Sequence, residues 1–401
     1  MKNIQIDSII KKITGRDYNL FKNDYLNNIE SLKEKINKKS VLVIGGAGTI
    51  GSYFIKEILK FEIKRLYVVD TNENGLAELV RDIRSSNYKS YPVIKTYPIN
   101  YSSKILSKIM QKEKPFEIIA NFAALKHVRS EKDEYSIEAM FENNFIHASN
   151  FIEEIIKIEP ENFFCVSTDK ATNPVSIMGA TKKIMEDIIF SYKNYFNITT
   201  ARFANVAFSN GSLLESYIFR FNKNQPIVCP KDIHRYFVSG EEAGLLCLLA
   251  CFLGNSSEIF IPKLSTKQLT IFPKTIEYFF NELGLNISYC ETDIEAKEKI
   301  VNQNINLNKE YPVYLFNTDT SGEKLYEEFY TDDDIVNWER FESIGIISHI
   351  EAKKFDRKNI LKSAEKMFSS EISKKDIIKF LNRFVVDFEY IDKNKYLDDK
   401  M

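Results

Sequence analysis

The chain has 401 residues, 44% of them apolar and 30 of them phenylalanine, enough for one large two-lobed protein with a packed core. Its 55 Lys+Arg balance 56 Asp+Glu, so the electrostatic footprint of a nucleic-acid binder is missing. There is no run of about 18 uncharged apolar residues, and residues 1–38 lack the apolar core of a signal peptide, so we expect a cytoplasmic protein with no membrane span. The five cysteines show no CxxC spacing and read as reduced core residues, with neither disulfide nor metal implied.

In chain order, residues 1–38 are polar with scattered apolar positions, which predicts two short helices joined around Gly15-Arg16. From Ser40 the pattern becomes strand (41–44), glycine-rich turn (45–51), helix (52–60) and strand (65–70). Apolar runs at 116–120, 162–166 and 198–203 each follow a helical stretch. This alternation predicts an α/β fold, a Rossmann-type doubly wound parallel sheet with helices on both faces. Beyond about Phe208 the rhythm breaks, with a proline-bounded segment at 225–230; helical periodicity returns at 354–388. The expected division is an N-terminal helical extension (1–38), a Rossmann domain (39–207), and a smaller mixed α/β substrate lobe with C-terminal helices (208–401), some chain passing between lobes.

Gly45-Gly46-Ala47-Gly48-Thr49-Ile50-Gly51 lies between a strand and a helix. Glycines at 45, 48 and 51 allow a tight turn, close approach of backbone to a pyrophosphate, and close packing of helix on strand. The helix N-terminus then offers N–H groups to the phosphates. The next strand ends in Asp70, an acid placed to bind adenosine ribose hydroxyls and repel a 2′-phosphate, with no arginine in Thr71-Asn72 to receive one. The pattern points to NAD rather than NADP.

The apolar run 162–166 leads into Ser167-Thr168-Asp169-Lys170-Ala171-Thr172-Asn173-Pro174, followed by Met178-Gly179-Ala180-Thr181-Lys182 in a helical segment. An Asp-Lys pair at a strand end is by itself most often a solvated ion pair. Beside a dinucleotide it can also move protons at a carbon next to a carbonyl. With Asn121-Phe122-Ala123-Ala124-Leu125-Lys126-His127-Val128, Ala201 to Val206, Ser209 to Ser212, Arg235-Tyr236-Phe237 and Gly322 to Glu328, the chain resembles the extended short-chain dehydrogenase/reductases. More narrowly it is similar to the bacterial nucleotide-sugar 4,6-dehydratases of polysaccharide biosynthesis, over roughly residues 13–328. Two positions depart from the pattern. The Tyr-x-x-x-Lys of the superfamily reads Met178 to Lys182, as in dehydratases that retain C5 configuration. The Arg-Pro-Gly-Glu-Lys motif reads Thr320-Ser321-Gly322-Glu323-Lys324.

The resemblance implies removal of water across C5 and C6 of a nucleotide-linked N-acetylhexosamine, UDP-N-acetylglucosamine or its GDP counterpart, with NAD as internal hydride carrier. It makes Asp169 the acid toward the C6 hydroxyl and Lys170 the C5 base, with an amine pKa lowered by the nearby nicotinamide cation and by desolvation. Thr168 would bind the C4 hydroxyl, Met178 would stand where the tyrosine is lost, and Lys182 would hold the nicotinamide ribose. Thr49, Ile50, Asn100 and Ala123 would also touch the cofactor. Lys126, His127, Asn205, Ser212 and Arg235 would touch the substrate, and Arg16 is a candidate for substrate or subunit contact. A homodimer or higher homo-oligomer is the expectation for this superfamily. A 4-epimerase, a C5-inverting dehydratase and an inert NAD-binding protein are the competing readings. Asp169-Lys170 argues against the first, Met178 against the second, and retention of Lys182 against the third.

Overall fold

The computed structural model describes residues 5–88, 91–302, 306, 309–349 and 356–393, with backbone alone for 129 and 130. Residues 1–4 of the expected N-terminal segment and 354–355 of the C-terminal helical stretch lie outside the described residues. Six strands form the centre: β1 (Ser40–Ile44), β2 (Arg65–Asp70), β3 (Val93–Pro98), β4 (Ile118–Asn121), β5 (Asn162–Val166) and β6 (Asn197–Ala201). They pair in parallel in the order 3-2-1-4-5-6, the doubly wound arrangement expected from the sequence. β1 and β4 are buried at every position, as strands covered on both faces must be. β3 escapes the sequence reading because it is a half-exposed edge strand.

Beyond β6 the sheet continues with Glu258–Pro262 in parallel, then Ile344–Ser348 and Val336–Asn337 antiparallel, all from the chain after residue 207. The helix predicted at 52–60 begins earlier, at Thr49–Ile58, because its first turn grows directly out of the glycine loop. It packs against Gly240–Leu253, where Gly244 lies so close that a Cβ would meet the Tyr53 backbone at 2.6 Å.

The smaller lobe is built on a parallel sheet of Asn286–Cys290, Glu310–Phe316 and Ile227–Pro230. Its separate core gathers Tyr217, Phe279, Phe280 and Tyr311. The N-terminal segment holds three described helices rather than two: Ile6–Thr14, Lys22–Asn27 and Ile29–Ile36. The first ends at Gly15 in the left-handed region (φ 67°) and buries Ile9 and Ile13 in the small-lobe core. The third buries Leu32 and Ile36 in the main core, and Tyr25 of the second packs against the same core. The helical stretch at 354–388 is likewise two helices, Arg357–Phe368 and Lys374–Phe384, the second started by a Ser373–Asp376 capping box.

Arg16, expected at a substrate or subunit contact, is instead buried inside the chain. Its NH2 donates to Glu242 Oε2 at 2.8 Å and its Nε to Oε1 at 3.2 Å, and the guanidinium also donates to the Thr14 and Phe237 carbonyls. Glu242 in turn takes the Ser239 and Leu20 amides, so one carboxylate ties the N-terminal segment to the start of Gly240–Leu253. Removing one partner of such a buried pair leaves an uncompensated charge. Glu242→Ala should therefore lower unfolding free energy by about 3–5 kcal/mol, read from denaturant midpoints; a loss below about 1 kcal/mol, the range of an exposed pair, would contradict it.

Candidate active site

A cavity of about 460 Å³ opens at the C-terminal ends of β1, β4 and β5, where the strand order reverses. Its lining includes Gly45, Gly48, Thr49, Ile50 and Gly51 from the loop after β1, and Lys126 and His127 from the loop after β4. Thr168, Asp169 and Lys170 come from the end of β5, Met178 and Lys182 from the helix Ile177–Phe190, and Asn205 and Ser212 from the segment after β6. Fourteen of the sequence-predicted positions thus meet in one place. Asp70, Asn100, Ala123 and Arg235 do not line the cavity.

The glycine loop has the geometry a pyrophosphate requires. Gly45 sits at φ 71°, and a Cβ there would meet the Ala123 amide nitrogen at 2.7 Å. A Cβ at Gly51 would meet the Gly45 carbonyl oxygen at 2.4 Å. Asp70 braces the loop from the end of β2, its Oδ2 accepting from the Ala47 amide at 3.0 Å and its Oδ1 from Asn72 at 2.9 Å. Each oxygen keeps a lone pair for a ribose hydroxyl. A dinucleotide therefore fits the residues present, with the first turn of Thr49–Ile58 facing the same cavity.

The loop after β5 is held by buried charge. Arg202 makes a two-pronged pair with Glu186 (Nε–Oε1 2.9 Å, NH2–Oε2 2.6 Å) and donates to the Thr172 hydroxyl and the Phe329 carbonyl. Ser167 donates to Glu186 Oε1 at 2.6 Å. Burial pushes the Glu186 carboxyl up, but the adjoining Arg202 outweighs it and holds the group below the ordinary carboxylate range. Thr168 donates to Asp169 Oδ1 at 2.9 Å. The Lys170 ammonium lies 3.2 Å from Asp169 Oδ1 and 3.2 Å from Glu327 Oε1.

Two site residues differ from expectation. Burial alone would push the Lys170 amine down, as the sequence reading expects, but the Asp169 and Glu327 carboxylates overcome it and hold the amine above its ordinary value. Arg235 is buried, its guanidinium pairing with Glu323 and bonding the His234, Lys324 and Leu325 carbonyls. Lys182 donates to the Val166 carbonyl at 2.7 Å, and burial pushes its amine down. No local sequence signal points to Glu186, Glu323, Glu327 or Glu131 as site residues, although Glu323 and Glu327 stand in the segment Gly322 to Glu328 that carries part of the family resemblance.

Glu131 accepts from the Met178 amide at 2.9 Å, and with the Ser176 hydroxyl on Gly179 it caps the helix that carries Met178 and Lys182. Burial pushes its carboxyl from 4.5 up to about 7, and its second oxygen has no hydrogen-bond partner among the described residues. The folded protein thus holds this proton more tightly than the unfolded chain, so stability falls as pH rises from about 4.5 to about 7. Glu131→Gln keeps the acceptor and removes the ionisation. Its stability relative to the natural chain should improve by on the order of 2–3 kcal/mol between pH about 5 and pH about 8. Denaturant midpoints at both pH values check this, and a difference independent of pH would contradict it.

Residues 41–349 match the family model described as "Polysaccharide biosynthesis protein". An "Uncharacterized membrane protein MJ1061" of Methanocaldococcus jannaschii is 32% identical over 315 residues, 77% of this chain and 85% of its own length. No helix among the described residues of the present chain is long and apolar enough to cross a membrane. A "UDP-N-acetylglucosamine 4,6-dehydratase (inverting)" of Campylobacter jejuni is 24% identical over 66% of this chain and 76% of its own. A "UDP-glucose 4-epimerase" of Rickettsia bellii is 26% identical over 61% and 71% respectively. The fold also matches the solved structure of a dTDP-glucose 4,6-dehydratase, DesIV of Streptomyces venezuelae, with TM-score 0.54, 15% identity, and 82% and 97% of the two chains covered. By the family model and the 32% relative, the chain belongs to the polysaccharide biosynthesis protein family.

Proposed function

We propose that the chain is an NAD-dependent nucleotide-sugar 4,6-dehydratase that acts on UDP-N-acetylglucosamine and keeps the C5 configuration. The observation that carries this reading is one cavity holding both the glycine loop and the Asp169-Lys170 pair. An epimerase has no use for an acid and a base aimed at C6 and C5. When bound, NAD supplies the hydride acceptor at C4 and the hydride donor at C6.

The residues of the chain move the protons. Thr168 receives the C4 hydroxyl proton and, already donating to Asp169 Oδ1, passes one on to that carboxylate. This relay stands in for the absent tyrosine, since Met178 has no proton to exchange. Asp169 then gives its proton to the departing C6 oxygen, and Lys170 as free amine takes the C5 proton and later returns it. Lys182 holds the nicotinamide ribose, while Asn205, Ser212, Lys126 and His127 face the nucleotide sugar. Lys126 donates to the Asn210 carbonyl at 2.9 Å, and Asn210 in turn donates to Thr49 Oγ1 at 2.9 Å, joining the substrate side to the glycine loop.

Mass spectrometry and NMR of products formed from UDP-N-acetylglucosamine in deuterated water test the reading. Loss of water, one deuterium at C5 and unchanged C5 configuration are expected. Unchanged mass with inverted C4 would make it an epimerase, and turnover of the GDP sugar alone would correct the nucleotide. Gly45→Ala puts a methyl into the 2.7 Å contact with Ala123 at positive φ, so NAD affinity should fall about tenfold or more. Isothermal titration checks this, and unchanged affinity would remove the glycine loop from the cofactor site.

A further inference from the structure

Lys170 has more carboxylate around it than an ion pair needs. Asp169, Glu323 and Glu327 face Lys170 and Arg235, three acids for two cations, within contacts of 3.5 Å or less. Glu323 already pairs with Arg235, and Asp169 with Lys170. Glu327 is the surplus acid, closer to Lys170 (3.2 Å) than to Arg235 (3.5 Å). Its side chain is 3% exposed, and its second oxygen has no hydrogen-bond partner among the described residues. A buried carboxylate oxygen without a donor costs free energy unless it carries a proton for part of the time.

The placement of Glu327 is built. Arg235 donates to the Lys324 and Leu325 carbonyls, Lys324 donates to the Thr172 carbonyl at 3.1 Å, and Arg202 holds the Phe329 carbonyl at 3.0 Å. The segment 324–329 is thereby fastened to the loop that bears Asp169 and Lys170 on either side of Glu327. A carboxylate serving only to neutralise Arg235 would not need that bracing.

We infer that Glu327 is a positioning residue for the proposed reaction: it holds the Lys170 amine against Asp169 and takes the proton that Lys170 must lose before acting on C5. The transfer breaks one N–H bond at Lys170 Nζ and forms one O–H bond at Glu327 Oε1, across 3.2 Å, with no other reactant. Asp169 stays free to receive the C4 proton through Thr168. The inference rests on the reading of Asp169-Lys170 as the proton-transfer pair.

Two readouts test it. The first is the Lys170 ionisation followed by 13Cε lysine NMR without substrate, its resonance assigned by loss in Lys170→Arg. In Glu327→Gln the midpoint should fall by about 1–3 pH units, the effect of removing one nearby opposite charge. An unmoved midpoint overturns the inference. The second is the pH profile of C5 exchange. The natural chain should exchange evenly across neutrality, whereas Glu327→Gln should exchange only as pH approaches its new Lys170 midpoint, and a parallel profile overturns the proton-taking role. Should the Gln variant fail to fold, Glu327→Asp keeps the charge. Its Lys170 midpoint should stay within about 1 pH unit of the natural one, while exchange slows; a midpoint that falls as far as in a charge-free variant would overturn the inference. The NMR titration needs no turnover, so a failed product assay would sink the dehydratase reading without touching this result.

Discussion

Buried charge has to be matched, and in this chain that requirement assembles the site. An unpaired carboxylate or ammonium in the interior costs several kcal/mol, so each buried ion must find its partner wherever the chain can supply one. Lys170 and Asp169 at the end of β5 find theirs in Glu327 and, through it, Arg235, from segments more than 60 residues away in sequence. Arg202 and Glu186 do the same one layer beneath, drawing in Ser167, Thr172 and the Phe329 carbonyl. The end of β5 that bears Asp169 and Lys170 is therefore clamped to the small lobe by ions rather than by apolar contact alone.

The same logic holds the N-terminal segment, while backbone hydrogen bonds hold the segment around 391. Arg16 and Glu242 bind the N-terminal helices to the helix packed on Thr49–Ile58, and Asp24 takes the Glu342 and Ser343 amides at the start of the strand Ile344–Ser348. At the other end, the amide of Ile391 donates to the Val175 carbonyl, and its own carbonyl accepts from Gly322. The strap at 391 thus crosses between the loop before Met178 and the segment that leads to Glu327. Both described terminal segments are thus tied to the body of the fold.

Much of this was legible beforehand, for definable reasons. The glycine loop, the acid at Asp70 and the Asp169-Lys170 pair are local patterns, each read from residue types at the end of a single strand. The parallel pairing follows from alternation. What local pattern could not reveal was who pairs with whom. Arg16 looks like a contact residue until Glu242 is placed beside it, and Arg235 looks like a phosphate ligand until Glu323 occupies it. Lys170 reads as a desolvated amine with a low pKa because desolvation is foreseeable from an apolar strand, whereas Glu327, which together with the adjacent Asp169 reverses the shift, arrives through tertiary structure. Glu131 and Glu327 were invisible for the same reason.

The central claim is that Lys170, gated by its carboxylate partners, moves the C5 proton. It is tested most directly by incubating the purified 4-keto-6-deoxy sugar nucleotide with NAD-loaded protein in deuterated water and following deuterium at C5. The natural chain should wash deuterium into C5, and Lys170→Ala should leave C5 protonated while binding NAD as before. Exchange in Lys170→Ala at the natural rate would contradict the account and require another base.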